Sequence, residues 1–164
     1  MNIESIKLAM DLLYRKYLIP MMLLDEEGIL LHPESSWQTK KPISHYLEAA
    51  DEHSVTLYHF GKYMLGCFHF QLEGKRCYLM VGPCGVIGTP ENSCVFLGHE
   101  YHYNIHYSKE DKYSFEEYIQ LVHTLFANQP LAQEQLRWYY QTEPGNRSIQ
   151  TDFNLEANLY DRRV

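Results

Sequence analysis

Three consecutive runs of strand-forming residues constrain this chain more than any other feature of its sequence. They cover residues 55–60, 63–71 and 76–82. Short turns containing glycine separate the runs, and the last two are predicted to form a β-hairpin. Within the second run, Leu65 and Cys67 fall on one alternation phase, and Phe68 and Phe70 fall on the other. A sheet with this pattern is covered on both faces, or is covered on one face and holds a ligand on the other.

Apolar residues at spacings of three and four indicate amphipathic helices on both sides of these strands. The pattern predicts helices over residues 3–17, 43–52, 115–126 and 131–140. Asn2 is the expected N-cap of the first helix, because a side-chain oxygen at that position accepts from a free backbone N–H. Ser114 and Glu117 have the spacing of a capping box, which predicts Ser114 as the N-cap of the third helix.

The remaining segments contain turn and loop signals. Two short apolar runs around Gly28 predict a hairpin over residues 21–31. Residues 33–42 and the glycine- and proline-rich residues 82–90 are predicted to be loops. Residues 94–107 are compatible either with a further strand or with a loop that caps the domain.

The order of these elements predicts an α+β fold in which helices pack on an antiparallel sheet. A chain of 164 residues has room for one domain of ordinary size. We expect that domain to occupy residues 1–140. Residues 141–164 are expected to be a linker, with a short helix possible over 155–160.

The charge balance disfavours nucleic acid and anionic lipid as direct partners. Fourteen basic and 21 acidic residues give a formal net charge of −7, and the basic residues never cluster beyond a pair. No apolar run approaches the ~20 residues of a membrane helix. Charged residues interrupt the N-terminal segment, so it is not expected to be a signal peptide. A cytoplasmic location without membrane contact is therefore predicted.

Cysteine and histidine patterns give little support for catalysis or metal binding. The four cysteines contain no C-x-x-C pair. Cys84, beside Gly85, or Cys94, near His99, could belong to a nucleophilic Cys–His pair. No motif in the sequence supplies the orienting group and the oxyanion site that such a thiol needs. His99, His102 and His106 would converge only on a helix, and hydrogen-bonded histidines are the preferred interpretation. The sequence therefore predicts no enzyme activity, no metal and no cofactor.

Tyrosine and histidine are unusually frequent among the predicted strands. The set comprises Tyr58, His59, Phe60, Phe68, His69, Phe70 and Tyr78. Most of these side chains are expected in the core. Because the polar ends of Tyr and His require partners, a pocket with a mixed aromatic and hydrogen-bonding lining is the alternative.

Four segments resemble the N-terminal sensory region of AraC/XylS-type transcription regulators of Gram-positive bacteria, in the YesN-like group. They are Ile19-Pro20-Met21 after the opening helix, the hairpin Leu24-Asp25-Glu26-Glu27-Gly28-Ile29-Leu30, the strand Tyr78-Leu79-Met80-Val81-Gly82-Pro83, and the tail Leu155-Glu156-Ala157-Asn158-Leu159-Tyr160-Asp161-Arg162-Arg163. The tail is similar to the segment that joins the sensor to the DNA-binding half.

This resemblance implies a PAS- or GAF-like domain with a ligand cleft on one sheet face. The cleft would lie between the central strands and residues 82–107. Its expected ligand-binding residues are Tyr58, His69, Tyr78, Cys84, His99 and Tyr101. The resemblance also implies an unidentified small-molecule effector, a homodimer, and DNA contact only through a helix-turn-helix region outside these 164 residues.

Three functions from different classes remain open at this point. The leading hypothesis is a ligand-sensing, dimerising regulatory domain. The first alternative is an interaction or dimerisation module that binds no ligand. The second alternative is a small enzyme that uses histidine or cysteine chemistry.

Overall fold

The computed structural model describes residues 2–33, 43–89, 93–96, 99–102 and 108–140. Its helices are α1 (Ile3–Tyr17), α2 (Ile43–Glu52), α3 (Lys112–Ala127) and a short 3₁₀ helix, Gln133–Gln135. Its strands are β1 (Met21–Leu24), β2 (Leu30–His32), β3 (Val55–His59), β4 (Tyr63–Leu72), β5 (Lys75–Val86), β6 (Ser93–Phe96), β7 (His99–His102), β8 (Lys109–Glu110) and β9 (Leu136–Tyr140).

One large sheet and one small hairpin contain all of these strands. The large sheet has the order β2-β1-β5-β4-β3-β9, and β8 pairs with β5. The small hairpin is formed by β6 and β7. The predicted α+β class is confirmed, and most pairs in the large sheet are antiparallel, as predicted. The sheet is nevertheless mixed. β9 runs parallel to β3, and β8 runs parallel to β5.

The sheet is covered on both faces, which is one of the two alternatives that the alternation in β4 left open. On one face, α1 and α3 bury side chains such as Ile6, Phe115 and Val122 against the strands. We call this the α1/α3 face. On the other, the α2 face, Tyr46 of α2 and Phe96 of β6 cover a second apolar cluster.

The first helix and its capping residue are confirmed. The Oδ1 atom of Asn2 accepts a 2.9 Å hydrogen bond from the backbone N–H of Ser5. The third helix begins earlier than predicted, because Asp111 rather than Ser114 is its N-cap. Asp111 Oδ1 accepts a 2.8 Å hydrogen bond from the N–H of Ser114. An acidic N-cap also interacts favourably with the helix dipole.

Two predictions about local structure are wrong. Residues 82–86 belong to β5 and not to a loop. Position 82 of this strand requires glycine, because its φ is +124° and an added Cβ would lie 2.8 Å from the carbonyl oxygen of Met64. Residues 131–140 were predicted as a helix, but they form the 3₁₀ turn and β9.

Several predicted segments lie outside the described residues. These are most of the 33–42 loop, residues 103–107, and the tail 141–164 with its short helix. Within the described parts of the chain, no helix is long and apolar enough to cross a membrane.

Candidate functional site

A groove of about 550 Å³ opens where β4 extends beyond β3. The pairing of these strands ends at Thr56 and Cys67, whereas β4 continues to Leu72. The end of α2 forms one wall and the end of α3 forms the other. Unequal strand length thus creates the groove, and the two helix ends enclose it.

The groove has a mainly polar lining. Its residues are Asp51, Glu52, His53, Ser54, His69, Phe70, Gln71, His123, Ala127, Gln129, Pro130 and Gln135. Three imidazoles, three primary amides, one hydroxyl and two carboxylates are therefore present in one cavity. Imidazoles, amides and hydroxyls each both donate and accept hydrogen bonds.

The backbone of β4 adds polar groups to the floor. Glu73 and Gly74 both have positive φ and form a two-residue turn, so Leu72 and Lys75 are the closing pair of the hairpin. In such a hairpin the closing residues exchange backbone hydrogen bonds, and this orientation alternates along the strand. The N–H and C=O groups of His69 and Gln71 therefore point away from β5, toward the groove.

His69 and His123 have lowered pKa values. Burial lowers the pKa of His69, and the neighbouring Arg76 lowers it further. Burial also lowers the pKa of His123, with a smaller contribution from His69. The Nδ1 atom of His123 lies 3.1 Å from the carbonyl oxygen of Gln129, which only accepts, so Nδ1 carries the proton in the neutral ring. Both rings are neutral near pH 7.

Asp51 is fixed at the edge of the groove. Its Oδ1 atom accepts hydrogen bonds from Arg76 Nη1, at 2.9 Å, and from Tyr78 Oη, at 2.7 Å. The ring of Tyr78 also lies edge-on to that of His69, with centroids 6.3 Å apart. Two predicted site residues, His69 and Tyr78, are thus brought together; Tyr78 does not line the groove itself but contacts Asp51, which does.

His53 connects the groove to β9. Its Nε2 atom lies 3.0 Å from the hydroxyl oxygen of Tyr139. Glu52 Oε2 lies 4.0 Å from the same nitrogen. Since β9 pairs with β3 along its whole length, this contact joins the groove to the edge strand of the sheet.

Tyr58 and Cys84 do not share this groove. Tyr58 is fully buried on the α2 face, where its ring packs edge-on against Tyr46 at 4.8 Å. Cys84 is fully buried on the opposite, α1/α3 face. Tyr58, Tyr78 and Cys84 therefore do not line a common cleft.

Burial also determines the chemistry of the thiols. It raises the pKa of Cys84 to about 12 and raises the pKa of Cys67 even more. Both thiols are protonated at neutral pH, and a protonated thiol is a poor nucleophile and a poor metal ligand.

The other two predicted site residues, His99 and Tyr101, lie on β7, and their side chains are outside the described part of the structure. Whether they contact a ligand stays a prediction. Among the side chains that are described, no group of three or more His, Cys, Asp or Glu residues is placed to hold a metal ion.

Sequence reasoning missed Asp51, His53 and His123 as site residues. Asp51 lies in the last turn of the helix predicted over residues 43–52, and His53 directly follows it. His123 lies within the helix predicted over residues 115–126. The sequence contained one indication of this site. The predicted strand over residues 63–71 is longer than its neighbour over residues 55–60, so the far end of the longer strand cannot pair with that neighbour.

Comparisons with protein-family models, with curated proteins and with solved structures gave no match for this chain. The resemblance to AraC/XylS-type sensory regions therefore rests on the sequence segments given above and stays a prediction.

Proposed function

We propose that this chain is the signal-sensing domain of a cytoplasmic transcription regulator and that it binds a small polar effector in the groove at the end of β4. The observation that carries the proposal is the groove itself. It combines a volume of about 550 Å³ with imidazole, amide and hydroxyl groups from three separate parts of the fold. Pockets of this size suit small molecules.

The lining favours an uncharged ligand rich in hydroxyl or amide groups. Neutral His69 offers one donor and one acceptor. His123 offers only Nε2 as an acceptor, because its Nδ1–H bonds the carbonyl oxygen of Gln129. The side-chain amides of Gln71 and Gln129 offer both donors and acceptors. Asp51 and Glu52 disfavour an anion, because a like charge near a carboxylate is costly in a partly buried site. A monosaccharide, a polyol or a small amide satisfies these conditions.

Effector binding would act on the relative positions of the elements around the groove. The ends of α2 and α3 approach β4 here, and His53 links the groove to Tyr139 of β9. A ligand that contacts both helix ends favours the arrangement in which they are close, and so shifts the population toward it. DNA contact is not proposed for these 164 residues, because their net charge is −7.

Thermal unfolding with a panel of single monosaccharides, polyols and small amides tests this proposal. A ligand at ~100 times its dissociation constant stabilises the folded state by about 2.7 kcal/mol, which is a readily measured increase in Tm. We expect at least one compound to raise Tm. The increase should disappear in His69→Gln and persist in His32→Gln, a control outside the groove, which interacts with Asp11 at 2.8 Å.

Two results would contradict the proposal. One is a panel in which no compound changes Tm. The other is an increase that His69→Gln leaves intact, because the compound then binds elsewhere.

The second candidate function is an interaction module that binds no effector. Exposed leucines on two helices favour it: Leu8 and Leu12 on α1, and Leu121 and Leu125 on α3. Large apolar side chains that remain exposed in pairs are typical of contact surfaces. Unchanged melting across the compound panel, together with measurable self-association, would favour this candidate.

A further inference from the structure

Helix α1 carries an apolar pair on the side that faces away from the sheet. Leu8 is 58% exposed and Leu12 is 51% exposed, whereas Ile6 and Met10 on the opposite side are buried. The two leucines are one helical turn apart and therefore adjacent on the surface. Nothing in the described fold of a single copy covers them.

Charged residues of opposite sign flank this pair on the same outward side. Glu4 precedes Leu8 by one turn, and Arg15 follows it by two turns, so all four residues share one face of the helix. The Glu4 side chain is 80% exposed, and its nearest cation within the helix, Lys7 Nζ, is 3.8 Å away. The resulting outward stripe, Glu4-Leu8-Leu12-Arg15, has an acidic end, an apolar centre and a basic end. Asp11, which is half exposed and lies 2.8 Å from His32, borders the apolar centre on one side.

We propose that two copies of this chain pair through the outward stripe of α1, with the helices antiparallel about a two-fold axis at the level of Met10. Leu8 then lies opposite Leu12 of the second copy. Along the helix axis, Glu4 then lies about 1.5 Å, the rise of one residue, from the level of Arg15 of the second copy. By symmetry, Arg15 of the first copy lies equally near Glu4 of the second. A parallel arrangement would instead place like charges together. The stripe is therefore complementary to itself only in the antiparallel orientation.

Helix α3 lacks this complementarity. Its exposed leucines, Leu121 and Leu125, have Glu117 on one side and Asn128 on the other. No basic residue follows them in the helix, so an antiparallel pair of α3 helices would gain no opposite charge. Because only the exposed leucines of α1 have opposite charges at their two ends, we assign the contact to α1. The exposed leucines of α3 then serve as a control in the same protein.

The small size of the contact limits its affinity, and its two-fold symmetry limits the assembly to two copies. One 15-residue helix from each copy lies below the size of a standard stable interface, so micromolar association is expected. An isologous contact closes at two copies and does not propagate into a polymer. The inference uses no residue of the groove and does not depend on the proposed effector.

Sedimentation equilibrium of the 164-residue chain tests the proposal directly. We expect a monomer–dimer equilibrium in the micromolar range. Leu8→Glu should raise the dimer dissociation constant by at least ~10-fold, because it places an unpaired carboxylate in the centre of the contact. Leu121→Glu, which changes an exposed leucine on α3, should leave the constant within ~2-fold of the wild type, as expected for a surface change outside the contact.

Charge reversal tests the orientation. Glu4→Lys and Arg15→Glu should each weaken dimerisation by ~2- to 5-fold, and the double variant should restore it, since both ion pairs reform with exchanged signs. A monomeric wild type at ~100 µM, two orders above a micromolar constant, would overturn the proposal. So would a dimer that Leu121→Glu disrupts and Leu8→Glu does not, because the occupant of the α1 stripe would then not be a second copy.

Discussion

Gly66 on β4 lies directly beneath Ile119 on α3, where a Cβ atom at Gly66 would be 2.6 Å from Ile119 Cδ1. The absence of a side chain allows the helix to approach the middle of the sheet. We expect Gly66→Ala to lower the free energy of unfolding by about 1–3 kcal/mol, the usual cost of overpacking a core. Urea denaturation followed by tryptophan fluorescence measures this change.

Shortening the opposing side chain provides the control. Ile119→Val removes the Cδ1 atom, and the next nearest Ile119 atom, Cγ1, lies 3.4 Å from the added Cβ. Gly66→Ala should therefore cost less in the Ile119→Val background than in the wild type. Equal costs in the two backgrounds would show that this contact does not limit the approach of α3.

Trp138 on β9 donates a 2.6 Å hydrogen bond from Nε1 to Glu116 Oε2 on α3. Glu116 is 7% exposed, so its carboxylate depends on this donor. We expect Trp138→Phe to destabilise the protein by about 2 kcal/mol, because it removes the donor and keeps the buried acceptor. Glu116→Gln retains an acceptor oxygen and should cost less. Unchanged unfolding midpoints in both variants would disprove the role of this bond.

Histidine burial predicts how stability depends on pH. Burial lowers the pKa values of His59, His69 and His123 in the folded state. The unfolded chain therefore binds more protons than the folded chain below the ordinary histidine pKa of about 6.5. We expect the free energy of unfolding to be nearly constant between pH ~7 and ~8 and to fall as the pH decreases from about 6.5 to 5.5.

Two variants separate the histidine contribution from that of carboxylates. His59→Gln combined with His123→Gln should make the decrease between pH ~6.5 and ~5.5 less steep. Burial raises the pKa of Glu110, which gives a contribution of opposite sign that is lost as the pH rises through that raised value. Glu110→Gln should therefore not remove the decrease. A decrease unaffected by the histidine substitutions would contradict this explanation.

The hydroxyl of Tyr118 is buried and has no hydrogen-bond partner among the described residues. Its ring packs against that of Tyr17, with centroids 5.0 Å apart. Tyr118→Phe keeps the ring and removes the unsatisfied group, so we expect a gain of about 1 kcal/mol in the free energy of unfolding. Tyr78→Phe is the matched control and should destabilise, because Tyr78 donates to Asp51. Similar losses in both variants would show that Tyr118 has a partner.

Local signals predicted most of the helices and strands correctly. The polar N-cap Asn2 and the apolar spacing after it determine α1, and a two-residue turn at Glu73 and Gly74 determines the β4–β5 hairpin. β9 was not predictable in this way. Its sequence, Leu136–Tyr140, is short and apolar enough for either a helix or a strand, and its partner β3 is about 80 residues away in the chain.

The site was only partly predictable for a related reason. His69 and Tyr78 are in strands with a recognisable pattern, and they do lie near each other. Asp51, His53 and His123 become neighbours of His69 only because α2 and α3 end at the same edge of β4. The positions where helices end relative to a strand depend on packing across the whole domain, and the local sequence does not encode them.

The parallel pairing of β3 with β9 has a consequence for the order in which the fold assembles. Contacts between segments about 80 residues apart close a large loop, so we expect them to form late in folding and to open early. We therefore expect β9 to separate before the central strands in native-state hydrogen exchange. Each such opening uncovers the backbone of β3, a five-residue apolar edge able to pair with another chain. The lifetime of this opening would then determine how readily the protein aggregates.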